Sequence, residues 1–343
     1  MNLGRSLGLI ALILSLYILW EMRQLLLLFF TAVVLAIAIN QLVKQLQRWV
    51  KRRAVAIFLS LAILFVLLII FLWLIVPAFV EQIQQLLELL PQVFVQIQAG
   101  IQWLQARLAE QDFRNLPDLS TIIQQLQPYV TQLLAQTFDF FSASVNVILQ
   151  LVLVLVLSLM LLINPQPYRN LFIRLFPSFY RQRANEIISH CEVALGNWTI
   201  GILMQMGFVA LMSGISLWIL QVPLALAHAI LAGLLDLIPN IGPTLSAVFP
   251  IAIALLDSPW KAVAVLIVYI VIQNLESYWL TPAIMAKQVS LLPAITLTAQ
   301  IIFASFFGVL GLLMALPLTV VAKIWLEEVL FKDVLDKWRH APS

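Results

Sequence analysis

Residues 54–76 form 23 consecutive positions without a charged side chain, and Ser60 is the only hydroxyl among them. Wound as a helix at 1.5 Å per residue, the run is about 34 Å long, enough to cross the roughly 30 Å hydrocarbon layer of a bilayer. Residues 143–163 and 200–220 are equally free of charge. A water-soluble core has no room for three such segments in one chain of this size. Composition agrees: 63% of the 343 residues are hydrophobic and 10% are charged, against roughly 25% charged in soluble domains. In lipid each spanning segment must close its own backbone hydrogen bonds, which this pattern does as helices. The expected fold is all-α, a polytopic transmembrane helical protein.

Around the long runs lie shorter ones. Residues 7–20 and 25–39 cover about 21 Å each; they either cross with the help of their flanks or form a hairpin dipping in from one side. No small-residue cleavage site follows the first run, so it reads as a retained span rather than a signal peptide. Beyond residue 220 the apolar segments are 225–238, 244–256, 262–275, 294–307 and 312–325, interrupted by Pro-Asn-Ile-Gly-Pro at 239–243, the turn 257–261 and the glycine pair Gly308/Gly311. The domains expected are a short helix pair, basic loop and third span (1–77), a helical insert (78–142), a return span with a basic amphipathic segment (143–199), a broken-helix transport core (200–326) and a tail (327–343).

The insert differs from the rest. It is rich in glutamine, and Ile83, Leu87, Leu90, Phe94, Ile97, Ile101, Leu104 and Leu108 recur at alternating steps of four and three. That spacing makes an apolar seam on a water-facing helix. A second amphipathic segment, 122–138, completes an extracytoplasmic helical hairpin. Lys44, Arg48, Lys51, Arg52 and Arg53 cluster on one side, and Arg169, Arg174, Arg181 and Arg183 follow the return span. The insert carries six acidic residues against Arg107 and Arg114. The positive-inside rule puts both basic stretches and both termini in the cytoplasm. Trp20, Trp73, Trp218 and Trp260 then fall on the outer boundary, where interfacial tryptophans belong. The localisation expected is the inner (plasma) membrane, with the bilayer as an obligatory partner.

Two stretches could carry chemistry. At 225–256 two half-helices flank a proline-glycine break containing Asp236, Pro239, Asn240, Gly242 and Pro243. Broken backbone at membrane depth is tolerated where it is buried in protein or lines a cavity, and helix ends there can meet a solute. Asp236 and Asn240 either serve a substrate or ion pathway or cap local backbone amides. At the end of 262–275 come Gln273, Asn274, Glu276, Ser277, Thr281 and Pro282. Gln273 and Ser277 share a helix face, and Asn274 and Glu276 are expected to point elsewhere; Glu276 is either a proton or cation carrier or a headgroup-level carboxylate. Gln300 and Thr298 precede the Gly308/Gly311 hairpin. Gly207, Gly214, Gly308 and Gly311 read as helix-packing positions, since small residues let helices approach. His228, in a half-helix, reads as a satisfied polar contact before it reads as part of a proton path.

Other chemistries lack their residues. Three scattered histidines and the lone Cys191 make no metal or redox motif. No phosphate-cradling GxxxxGK[ST] loop and no GxSxG elbow occur. Near-balanced charge gives no nucleic-acid footprint. The reading is therefore non-enzymatic, with no cofactor and no metal.

The run Leu235-Asp-Leu-Ile-Pro-Asn-Ile-Gly-Pro243 resembles the proline-glycine signature of the autoinducer-2 exporter family. So do Asn274-Leu-Glu-Ser-Tyr-Trp-Leu-Thr-Pro282, Leu291-Leu-Pro293 and Gly308-Val-Leu-Gly-Leu-Leu-Met-Ala-Leu-Pro317. The layout is similar over nearly the whole chain. Phe306-Phe307 stand where the family pattern tends to glycine, and Leu292 where a polar residue is frequent. The resemblance implies a homo-oligomeric secondary transporter, with export of the signalling molecule autoinducer-2 or sodium/proton antiport as family activities. The leading expectation is an exporter of a small polar solute. The alternatives are exchange of a monovalent cation for protons, and a non-transporting scaffold acting through the external hairpin.

Overall fold

The long apolar runs are helical, as a backbone in lipid requires. A computed structural model describes residues 14–15, 17–70, 73, 77, 95, 145–239, 241–282 and 292–335. Its helices are α1 (Arg23–Leu46), α2 (Arg53–Ile70), α3 (Val145–Ile163), α4 (Pro165–Arg174), α5 (Arg181–Ile219), α6 (Ala225–Leu235), α7 (Ile241–Asp257), α8 (Pro259–Leu275) and α9 (Pro293–Trp325). Among the described residues there is no strand, and four helical stretches have the length and hydropathy of a membrane span. The protein is all-α and polytopic. The helical insert expected at 78–142 lies outside the described residues except for Val95, as do Asn240 and the tail beyond residue 335.

The described residues fall into two units: those of Met1–Ile63, Val147–Gly201 and Ile284–Ser343, and those of Leu64–Asn146 and Ile202–Ala283.

In the first unit the second apolar run is longer than its sequence suggested. α1 continues to Leu46 and takes in Lys44. It starts after Met22, whose backbone leaves the helical region (φ −83°, ψ 4°); the Met22 amide donates to Ile18 O and its carbonyl accepts from Leu26, so the two runs meet at this residue. Leu28 and Ala32 of α1 pack on Val154 of α3. Ser158, fully buried, donates to Val154 O at 2.6 Å and to Ala32 O at 3.1 Å, which keeps a hydroxyl satisfied inside a span. After Ile163 the chain bends by 92° into α4. Pro165 at the first position suits this start, because it lacks only an amide that a first turn cannot use.

The later part of the basic segment continues into the expected span: Arg181–Ile219 is one helix, α5, of 39 residues. Ile187 and Cys191 of α5 pack on Val320 and Ile324 of α9. Ion pairs reinforce this contact. Arg183 reaches Glu328 at 2.6 Å and Asp333 at 3.3 Å, Lys332 reaches Glu328 at 2.7 Å, and Tyr180 donates to Asp333 at 2.8 Å. The first part of the expected tail is thus an ordered helical extension, Leu326–Leu335, held to the start of α5. Within α9, Gly308 has φ 64° and ψ −145°, a conformation open essentially to glycine alone. Gly311 lies tight against the carbonyl of Phe303. Residues eight apart in an unbroken helix are about 12 Å apart, so the chain folds back at Gly308.

In the second unit, the last half of α5 packs with α6, α7 and α8. Val209, Ala232 and Ile272 form one contact, and Leu217, Val222, Ala254, Val265 and Tyr269 form another. Gly233 fits against Met206 O and the Ala210 Cβ, where any side chain would collide (2.6 and 2.8 Å from an added Cβ). α8 starts at Ser258, whose hydroxyl accepts from the Lys261 amide. Its Val263, Leu266, Ile267, Ile270 and Val271 are exposed, an apolar face fit for lipid.

Candidate functional site

The break between α6 and α7 is a tight turn that closes most of its own backbone bonds. Leu237 donates to Leu234, Ile238 to Leu235, and Gly242 to Ile238. Unpaired backbone groups are expected at such a break; among the described residues these three amides find local partners. Gly242 is what permits so close a turn, since a Cβ there would overlap the Leu235 carbonyl. Pro239 and Pro243 flank the bend, and Ser246 returns a bond to Pro243 O at 2.9 Å.

The groups left without partners are side chains. Asp236 is 2% exposed, and its Oδ2 has no hydrogen-bond partner. His228 is 0% exposed, and neither ring nitrogen is partnered. This corrects the expectation of a satisfied histidine: the ring is enclosed with no partner in reach. Ser213 and Tyr269, both buried, face one another, yet neither hydroxyl reaches hydrogen-bonding geometry. Leaving one such group unbonded costs about 1–3 kcal/mol.

Glu276 joins this polar set. It is 7% exposed, at the start of the π-helical turn Glu276–Leu280, and close enough to Asp236 for the two charges to interact. Single π turns inside helices are frequent at functional sites. Two amides hold the carboxylate. Gln205 donates to Oε1 at 3.4 Å and also to Thr281 Oγ1 at 3.1 Å. Gln273 donates to Oε2 at 3.3 Å and to Ser277 at 3.4 Å. The sequence reading had placed Glu276 on a different face from Gln273. That was mistaken, since residues three apart are neighbours on a helix surface as surely as those four apart. Glu276 is buried in the protein and clasped by these two amides.

The other predicted residues separate. Asn274 is exposed and donates to Ile270 O at 2.7 Å, away from the carboxylates. Pro282 ends the described part of the segment and is exposed. Gln300 is 1% exposed but belongs to the first unit, in the first half of α9. The four glycines differ in role. Gly214 meets the Ala229 Cβ, 3.1 Å from an added Cβ, and Gly311 meets Phe303 and Phe307, so both lie at close contacts. Gly207 and Gly308 touch nothing within 4 Å; Gly308 serves its turn instead. Gln205, Ser213 and Tyr269 were missed by sequence reasoning. A lone glutamine in the uncharged run 200–220 was the one available signal.

Residues 9–331 match the sequence profile described as AI-2E family transporter. The chain belongs to the AI-2E transporter family. Curated relatives span comparable lengths. AI-2 transport protein TqsA of Escherichia coli (strain K12) is 25% identical over 315 residues, 88% of this chain and 85% of the relative. YhhT of the same strain is 25% identical over 303 residues, 86% and 82% of the two chains. YueF of Bacillus subtilis (strain 168) is 26% identical over 257 residues, 72% and 69%. The latter two are named only provisionally as transport proteins. As an AI-2E member the chain is a multi-pass membrane protein of a transporter family, and the broken helices of its C-terminal half are among the segments the profile covers.

Proposed function

We propose that the protein is a secondary transporter that carries a small polar solute out of the cell through the second unit. The reading rests on one observation: Asp236, His228 and Glu276 are all buried in that unit, and Asp236 Oδ2, beside the break, and both His228 nitrogens, within α6, have no partner. Ionisable residues inside a membrane protein are rare and mark solute or ion routes. Discontinuous helices with polar groups at their ends form the substrate sites of many secondary transporters. Residues Asp236, Pro239, Asn240, Gly242, Pro243, Glu276 and Thr281 would line the route, with Gln205 and Gln273 orienting Glu276. The outward direction and a homo-oligomeric assembly rest on the family resemblance. Cytoplasmic termini follow from the charge distribution, and the strong exposure of Trp20, Trp73, Trp218 and Trp260 supports their interfacial placement.

Counterflow by the purified, reconstituted full-length protein, screened against autoinducer-2 and other small polar metabolites, tests this reading. Asp236→Asn is expected to lower flux about tenfold or more, a loss of roughly 1.4 kcal/mol in the rate-limiting state. Wild-type flux with the variant would remove the site from the route. Two carboxylates within interaction distance also favour a second reading, cation/proton antiport. In that case Asp236→Asn and Glu276→Gln stop sodium from dissipating a pH gradient in vesicles, and unchanged traces discard antiport. Saturable flux of any solute makes the scaffold alternative unnecessary.

A further inference from the structure

The first unit contains a trough of about 760 Å³ between α1, α3, the elbow helix α4, α5 and the end of α9. Its walls are almost wholly apolar, with Phe29, Phe30, Val33, Leu161, Phe172 and Leu195 among them. Its charged rim residues are Arg53, Arg169 and Glu192, one cation in excess. Arg169 is fully engaged: it bonds Asn185 at 2.7 Å and Ser189 at 2.5 Å, and it faces Glu192 at 3.6 Å. Arg53 is different. Among the described residues no carboxylate lies within ion-pair reach of it, and its recorded bond is a long one, 3.4 Å, to Leu162 O. Lys51 and Arg52 precede it, and no acidic residue occurs between 40 and 53.

The elbow fixes what can reach this rim. α4 has no buried residue, and Leu171, Leu175 and the following Phe179 are 65, 76 and 86% exposed beside Arg169, Arg174 and Arg181. A short helix with greasy side chains on one part and arginines on another, leaving a span at 92°, has the character of an interfacial segment. Apolar trough and cationic rim therefore meet at the depth where phosphate headgroups join acyl chains. We propose that the trough seats one anionic phospholipid of the surrounding leaflet, its acyl chain along Val33 and Leu161 and its phosphate on Arg53. The argument is charge complementarity. A neutral hydrophobic guest would fill the walls but leave the Arg53 guanidinium without a counter-ion, and a zwitterionic headgroup would bring a cation of its own. The site is independent of the transport reading, and neither stands or falls with the other.

Native mass spectrometry of the purified full-length protein, delipidated and then offered phosphatidylglycerol or phosphatidylcholine, tests the seat. Wild type should retain one phosphatidylglycerol with about fivefold preference over phosphatidylcholine, the scale of one basic side chain at a membrane surface. Arg53→Gln should erase that preference. Arg48→Gln, in the same basic stretch but not on the trough, should leave it intact. Val33→Trp should block retention of both lipids, with folding checked by circular dichroism; if that variant does not fold, the two arginine variants still decide. Equal retention of the two lipids by wild type, or an equal loss in Arg48→Gln and Arg53→Gln, overturns the proposal. Failure to retain either lipid does so too, and points to a second copy of the chain or another hydrophobic guest as the occupant.

Discussion

The chain breaks a helix twice in its C-terminal half, and the two breaks are made differently. At 236–242 the turn is tight, its amides bond locally, and a glycine with no room for a side chain lets α6 and α7 meet. Asp236 beside it is buried, with Oδ2 short of a partner. At Gly308 the turn is made by a backbone conformation that only glycine tolerates, and the contact across it is Phe303 and Phe307 against Gly311. One break has a buried carboxylate beside it; the other has paired rings. The lesson is that a proline-glycine interruption is a device for reversing a chain, and only its side chains say whether it also serves a solute.

Substitutions can break or sharpen that contrast. The largest effect is expected from Gly242→Val, which forces two branched methyls towards the Leu235 carbonyl: about 3 kcal/mol of stability lost, read as a lowered unfolding midpoint in detergent, with flux lost as well. A neutral result would mean that the first break is loosely packed. Gly308→Ala comes next, at about 2 kcal/mol from backbone strain, with flux per folded molecule unchanged. If flux collapses while the fold holds, the second break is functional too. His228→Leu should cost less than about 1 kcal/mol, since removing an unpartnered polar group can be neutral or stabilising, while lowering counterflow clearly. A large stability loss there would show that the ring has a structural partner. Ser305→Ala, which removes an exposed hydroxyl bond to Ile302 O beside the second break, should change stability by less than about 0.5 kcal/mol and flux not at all.

How far the sequence could be read depended on whether the deciding partner was local. Uncharged runs, proline and glycine positions and the two chain reversals are local properties, and they located the spans and both breaks. Partners across helices are not. Gln205 looked like an isolated polar residue until α5 brought it to Glu276 and Thr281, some seventy positions on. His228 looked satisfiable because a histidine usually finds a partner; only the packing of α5 against α6 shows that it does not. The length of α5 was hidden for another reason. Its first half is amphipathic and its second half apolar, and hydropathy divides what hydrogen bonding joins. Glu276 was misplaced by counting only steps of four along a helix that also pairs steps of three.

The right angle after Ile163 carries a consequence of its own. As the interfacial segment inferred above, α4 would mark a fixed waterline for the first unit. Such a molecule cannot settle deeper or ride higher when the bilayer thins or swells without drowning Arg174 or baring Leu175. Mismatch then has to be absorbed by tilting of the upright helices, at a fraction of a kcal/mol per ångström. The elbow would make the protein's posture respond to membrane thickness.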